Sequence, residues 1–218
     1  MTRIRIPFTI LLELLNYNKM KPKTIISLII IVLMASSCVL SSLFPLYTEK
    51  DLRTNDGLVG KWLVNDDNEQ KGYWIIEKLD SASWKKYNTG KMYRLVAVED
   101  SLEQEFALHL LELNGIQYVD FYPVNVEIDH GFLGWHMVPV HNFAKIEIER
   151  SQLILHFFEP DYFKELMEQN KIRISNIRLN NGTWLITAET DELQKFVKKY
   201  SHELQAYAES DTLPRLPL

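Results

Sequence analysis

From residue 56 onward the chain alternates between apolar and polar positions in short runs. Segments 58–64, 72–79, 91–98, 103–113 and 116–122 are dominated by β-branched and aromatic residues and bounded by turn residues. The same holds for 132–138, 143–149, 152–158, 172–179 and 183–188, and each of these segments reads as a strand. In Lys145-Ile146-Glu147-Ile148-Glu149 the alternation is strict, which predicts one dry face and one wet face. Asn114-Gly115 and Asn181-Gly182 sit between apolar runs, where a type I′ turn needs positive φ at both central positions. Short strands joined by tight turns predict an antiparallel meander, and closing such a sheet into a barrel removes its exposed edges.

Two segments break this period. Residues 160–169 predict a short helix with Pro160 in its first turn and Phe163, Leu166 and Met167 on one face. A second helix is predicted from Thr190, an N-cap residue type, with Asp191 and Glu192 early and Lys198 and Lys199 late. Its apolar stripe is Leu193, Phe196, Val197, Tyr200 and Leu204, which suits packing against the outside of a sheet. Residues 209–218 hold two prolines and read as a flexible tail.

The front of the chain is different in kind. From Met20 it runs MKPKTIISLIIIVLMASSC, with Lys21 and Lys23 ahead of an apolar stretch over 25–34 and small residues before Cys38. This is the tripartite pattern of a signal peptide, and it resembles a bacterial lipoprotein signal. In that family the cysteine is diacylated and becomes the first residue of the mature protein, so the resemblance implies lipidation of Cys38. Several acyl chains give stable anchoring, because each buried methylene contributes about 0.8 kcal/mol. The alternative is an uncleaved anchor helix over 24–46, since no charge occurs from Thr24 to Thr48. Residues 1–19 precede a plausible start at Met20 and read as an upstream extension. The predicted organisation is therefore 1–19 extension, 20–37 signal, 38–55 tether, 56–208 barrel and 209–218 tail.

Charge supports this division. Of the 24 basic and 29 acidic residues, five basic and one acidic lie within 1–37, which leaves a net charge of −9 from Cys38 onward. An acidic body disfavours nucleic acid and anionic lipid surfaces. The single cysteine excludes a disulfide framework and a multi-cysteine zinc site.

Two family resemblances extend into the body. Gly60-x-Trp62, opening the first strand after a short irregular lead-in, resembles the start of lipocalin-like (calycin) barrels. There the tryptophan closes one barrel end and the glycine admits a close backbone approach. The phrase Pro45-Leu46-Tyr47-Thr48-Glu49-Lys50-Asp51-Leu52 followed by Gly60-x-Trp62 is similar to a group of uncharacterised bacterial lipoproteins. Pro139-x-His141-x-Phe143, Glu159-Pro160-Asp161 and Thr190-x-Glu192-Leu193-Gln194-Lys195-Phe196 resemble later landmarks of that group. The resemblance implies an envelope address and a β architecture, and no activity.

Candidate chemistry is sparse. His130, His136 and His141 lie near Glu127 and Asp129, but His136 and His141 would face opposite sides of a continuous strand, and no metal-ligand motif is present. His141 alone reads as a buried histidine or a pocket acid–base group. Glu147 and Glu149 alternate with isoleucines, as on a solvated face, and Asp66-Asp67-Asn68-Glu69 lacks the remaining EF-hand ligands. No G-x-S-x-G nucleophile motif occurs. The aromatics Trp62, Trp74, Tyr93, Phe106, Tyr118, Phe121 and Trp135 either fill the barrel or line a cavity in it.

The expectation is a mainly β, lipocalin-like or other closed barrel with two short-to-medium helices, the second C-terminal. It is expected to be a lipid-anchored, non-enzymatic envelope module without a cofactor that binds a small apolar ligand, with Trp62, Tyr93 and His141 as candidate contacts. The alternative is a structural or assembly accessory whose solid barrel contacts another envelope protein, and a third reading is an enzyme using His141 within a cavity. The expected address is the outer membrane facing the periplasm, or a single-pass inner-membrane anchor.

Overall fold

The structure, a computed structural model, describes residues 39–65, 71–79, 91–99, 102–124, 131–134, 136–180 and 182–217. The signal segment, Cys38, the Asp66–Glu69 cluster, Glu127, Asp129, His130, Trp135 and Asn181 lie outside the described residues.

Among the described residues eleven strands form one sheet: β1 (Ser41–Ser42), β2 (Gly60–Asn65), β3 (Lys71–Lys78), β4 (Met92–Glu99), β5 (Leu102–Leu113), β6 (Ile116–Val124), β7 (His141–Ile148), β8 (Gln152–Phe157), β9 (Asn176–Arg178), β10 (Trp184–Ile186) and β11 (Asp211–Leu216). Eight of them close into an antiparallel barrel. Strands β2 to β8 meander in order, and β11 returns to pair with both β8 and β2. The remaining three extend the free part of the β7 edge: β1 pairs antiparallel with β7 and parallel with β10, which pairs with β9.

The alternation in the sequence is the reason for the closure. Along β4, Tyr93 and Leu95 join the interior cluster while Arg94 points out to Glu105 and Glu77. The β5–β6 turn has Asn114 at φ 52° and Gly115 at φ 78°, the geometry expected of a two-residue hairpin loop.

Two helices lie beyond β8: α1 (Pro160–Glu168) and α2 (Thr190–Tyr200). α1 starts with Pro160 at its N-terminus, where a missing N–H costs nothing, and Glu159 caps Asp161 N. Phe163 and Met167 of α1 and Leu193, Phe196, Val197 and Tyr200 of α2 bury against the outer face of the barrel, where Leu111, Leu113, Tyr118 and Phe143 emerge. Phe163 sits 5.0 Å from Phe196 and 5.3 Å from Tyr200 between ring centroids, spacings at which edge-on aromatic contacts add to simple burial. The protein thus has an interior core and an outer core, both built from residues 40–213. The Val39–Leu218 unit carries its own hydrophobic interior.

Several expectations need correction. Residues 39–55 are not a loose tether: Leu40, Leu46 and Leu52 are fully buried in the outer core, and Leu52 bridges to Leu111. Residues 211–216 are not a tail but the strand that closes the barrel, with Leu213 inside it. Segment 132–138 is not a strand: Gly131–Gly134 forms one helical turn, and Phe132, Met137 and Val138 are exposed. The strands expected over 172–179 and 183–188 shrink to three residues each. Thr190 does not cap α2; its hydroxyl donates instead to the Pro45 carbonyl at 2.8 Å, and Glu189 holds the cap position without a side-chain bond. Among the described residues no helix is long and apolar enough to cross a membrane.

Candidate functional site

The two ends of the barrel differ. At one end the lead-in to β2 makes a 3₁₀ turn, Asp56–Leu58, capped by the Asn55 side chain. Leu58 and Trp62 are fully buried beneath it, and the Trp62 indole donates to the Leu58 carbonyl at 3.1 Å. Tyr93 holds the lead-in from inside: its hydroxyl accepts from Asn55 N at 2.7 Å and donates to Asn55 O at 3.1 Å. Arg215 of β11 stacks over Trp62 at 4.0 Å and donates to the carbonyls of Val59 at 2.8 Å and Gly57 at 2.6 Å. Its Nε donates to Arg150 O at 2.9 Å. Gly60 has φ +150°, and a Cβ there would collide with the Arg215 guanidinium. This end is closed.

Among the described residues nothing fills the other end in this way. A cavity of about 240 Å³ lies among Trp74, Leu95, Phe106, Phe121 and Phe157, with Glu99 and Asn142 as its polar groups and Val39 on its wall. Register explains the set: Trp74 faces Ala97, Leu95 faces Phe106, and Phe121 faces Asn142 across neighbouring strands. Asn142 is fixed by donating to Ser41 Oγ at 2.9 Å, which also secures β1 at this point. The volume falls just below the roughly 300–1,000 Å³ of pockets for drug-sized ligands. A narrow chain or a small ring fits this space, and a large polycyclic molecule does not.

A second polar arrangement is sealed into the outer wall. Asp120 of β6 is 0% exposed; its Oδ1 lies 2.7 Å from His141 Nδ1, and its Oδ2 accepts from Leu46 N at 2.8 Å. Burial raises the Asp120 pKa, and the His141 contact and the Leu46 bond act against that rise. His109, directly opposite Asp120 on β5, is 3% exposed and has no hydrogen-bond partner for either ring nitrogen among the described residues. Burial, helped by nearby His141, pushes its pKa down to about 3, so it is neutral at ordinary pH. The Tyr47 ring stacks on it at 4.1 Å, and burial raises the Tyr47 pKa. Tyr122 covers His141 at 4.5 Å. Leu46 and Tyr47 thus reach Asp120 and His109 from the N-terminal segment, and none of these side chains lines the cavity.

The phrases singled out in the sequence meet here. Gln194 Nε2 donates to Leu46 O at 2.9 Å and to Asp51 Oδ2 at 2.8 Å, and Thr190 reaches Pro45. Asp51 also accepts from Thr48 N and Oγ1, and although burial alone would raise its pKa, these bonds hold it low. Pro45–Leu52, Thr190–Phe196 and His141 therefore form one clamp that fastens the N-terminal segment to the barrel.

Of the expected contacts, Trp62 and Tyr93 belong to the closed end and His141 to the outer clamp, so the structure does not bring the three together. From the aromatic set, Trp74, Phe106 and Phe121 line the cavity, Trp62 and Tyr93 fill the core, and Tyr118 faces the outer core. His136 is exposed and far in character from the buried His141. Glu147 is an exposed group beside Lys145 and His156. Phe157, Asn142, Arg215, His109 and Asp120 were not singled out by sequence. Only the cross-strand register brings them to these places, although Phe157 and Asn142 lie within or beside runs that read as strands. No protein-family model, curated protein or solved structure matches the chain.

Proposed function

We propose that this is a lipid-anchored, non-enzymatic envelope module whose open barrel end binds a small apolar ligand. One observation carries the reading: an aromatic cavity at one end of a barrel that is plugged at the other. A merely structural barrel of eight strands can be filled by its own side chains, and the closed end is filled in that way. The lipoprotein-like signal ahead of Cys38 supports the address. The ligand class follows from size and lining: a single acyl chain or a small aromatic, with its polar end near Glu99 and Asn142.

The test is titration of the purified domain with a neutral fluorescent probe such as N-phenylnaphthylamine. Saturable binding is expected, weakened at least tenfold by Ala97→Phe, which puts a ring beside Trp74 in the cavity. Equal binding by both proteins would place the probe elsewhere and end the reading. The alternative, an accessory that contacts an envelope protein, has the β9 edge in its favour, where Ile177 is exposed. In-cell cross-linking from Ile177 to one dominant protein would support it.

A further inference from the structure

The exposed large apolar side chains of the described residues are not scattered evenly. Four of the eight, Leu102 (76% exposed), Phe132 (72%), Met137 (57%) and Val138 (69%), group together, whereas Phe44, Ile177, Leu179 and Leu204 (91%) belong to other segments. Leu102 begins β5 directly after β4 ends at Glu99, a wall residue of the cavity. Phe132, Met137 and Val138 belong to the connection from β6 to β7, between the cavity residues Phe121 and Asn142. All four therefore lie at the open end of the barrel. The opposite end is sealed by Arg215 and the Asp56–Leu58 turn.

The chain also enters the fold here. Val39 is on the cavity wall, and β1 is pinned beside it to Asn142 and His141. The described residues begin there. In the anchor reading, Cys38, bonded to Val39, carries the membrane attachment. Isolated apolar side chains on a soluble surface need no explanation, but several at one end, around an apolar opening and beside an anchor point, mark an interaction surface.

We infer that the open end of the barrel is a bilayer-docking surface, in which Leu102, Phe132, Met137 and Val138 enter the lipid interface and hold the cavity mouth against the membrane. The partner is a zwitterionic bilayer. The body carries a net charge of −9 from Cys38 onward, and Glu99 and Glu103 are exposed at the same end, so anionic lipid is repelled. Docking by apolar burial does not need such attraction, since each fully buried large side chain favours the interface by an amount worth roughly a tenfold change in partition. The inference takes its choice of partner from the anchor reading, and it gives the cavity a source of acyl chains at its own mouth.

The experiment uses the chain from residue 38 onward with Cys38→Ser, which lacks any lipid and retains both cores. It is mixed with sucrose-loaded phosphatidylcholine vesicles and sedimented. Measurable partition is expected, reduced about tenfold by Phe132→Asp and by Val138→Asp with unchanged melting temperature, and weakened when phosphatidylglycerol is added. An environment-sensitive dye on Leu102→Cys shifts to the blue with vesicles, and one on Ser151→Cys, in the β7–β8 turn at the sealed end, does not. Absence of partition, indifference to both aspartate substitutions, or an equal shift at position 151 overturns the inference. The anchor reading fails separately, if mature protein from cells carries no acyl mass on Cys38, and that result leaves the vesicle measurement standing.

Discussion

Gly60 and Arg215 explain each other. The guanidinium occupies the space a side chain at residue 60 would need, and from there it covers Trp62 and ties down Val59 and Gly57. Gly60→Ala should destabilise the fold by about 1–3 kcal/mol, through overpacking and a φ that suits glycine. In an Arg215→Ala background the same change should cost clearly less. A double-mutant cycle in urea checks this, and additive costs would show that the two do not share the space. Trp62→Ala should cost about 3–5 kcal/mol, the usual range for a buried tryptophan.

His109 makes the stability depend on pH. Its folded pKa of about 3 lies below the unfolded value of about 6.5. Above pH 6.5 both states are neutral and the group contributes no slope. Below it, the unfolded chain takes up a proton that the folded protein refuses. Stability then falls by about 1.4 kcal/mol per pH unit, until the folded protein also protonates near pH 3. Asp120 works in the opposite sense, because a raised carboxyl pKa favours the folded state on acidification. The difference between the parent and His109→Leu, measured by urea unfolding from pH 7 to pH 4, isolates the histidine: the variant should lose less stability on acidification. Identical pH profiles would mean that Asp120 and His141 rearrange to accept the charge.

At the scale of elements, the N-terminal segment and α2 depend on a few polar contacts. Gln194→Leu leaves the Leu46 carbonyl without its partner and removes a bond from Asp51. The expected cost is about 1–3 kcal/mol, with faster exchange of the Leu46 amide, which is bonded to Asp120. Hydrogen exchange would detect this, and unchanged protection at Leu46 would show that the segment is held by apolar burial alone.

The strands were legible because a barrel wall has a wet face and a dry face, and period two records that difference at positions such as 145–149. Other elements left no such record. Leu40, Leu46 and Leu52 bury from irregular backbone, which has no period. Pro214 hid β11, although its missing N–H is tolerated because it lies beside Gln152, the first residue of β8. The run from Phe132 to Val138 had strand-like composition, yet Phe132, Met137 and Val138 face out. The site was less legible still. Aromatics were visible in the sequence, but which of them fill the core and which border the cavity depends on strand register, as does the meeting of Asp120 with His141.

At the scale of the molecule, sealing among the described residues is uneven: one barrel end is plugged, the outer wall is covered by helices and the N-terminal segment, and the remaining end holds an apolar cavity. Removing everything after residue 210 should leave β2 and β8 with unpaired edges and abolish cooperative unfolding, with increased binding of a hydrophobic dye as the readout. A sharp unfolding transition in that truncated chain would show that the other seven staves are self-sufficient.

The pairing of Trp62 with Arg215 has a kinetic consequence. A contact between residues so distant in sequence forms late, because loop-closure entropy opposes it until the intervening chain is ordered. The first barrel strand therefore waits, exposed, for a neighbour that is synthesised after both helices. During that interval the nascent protein is a half-rolled sheet with a sticky rim, and it is then, rather than once folded, that a chaperone would have most to do.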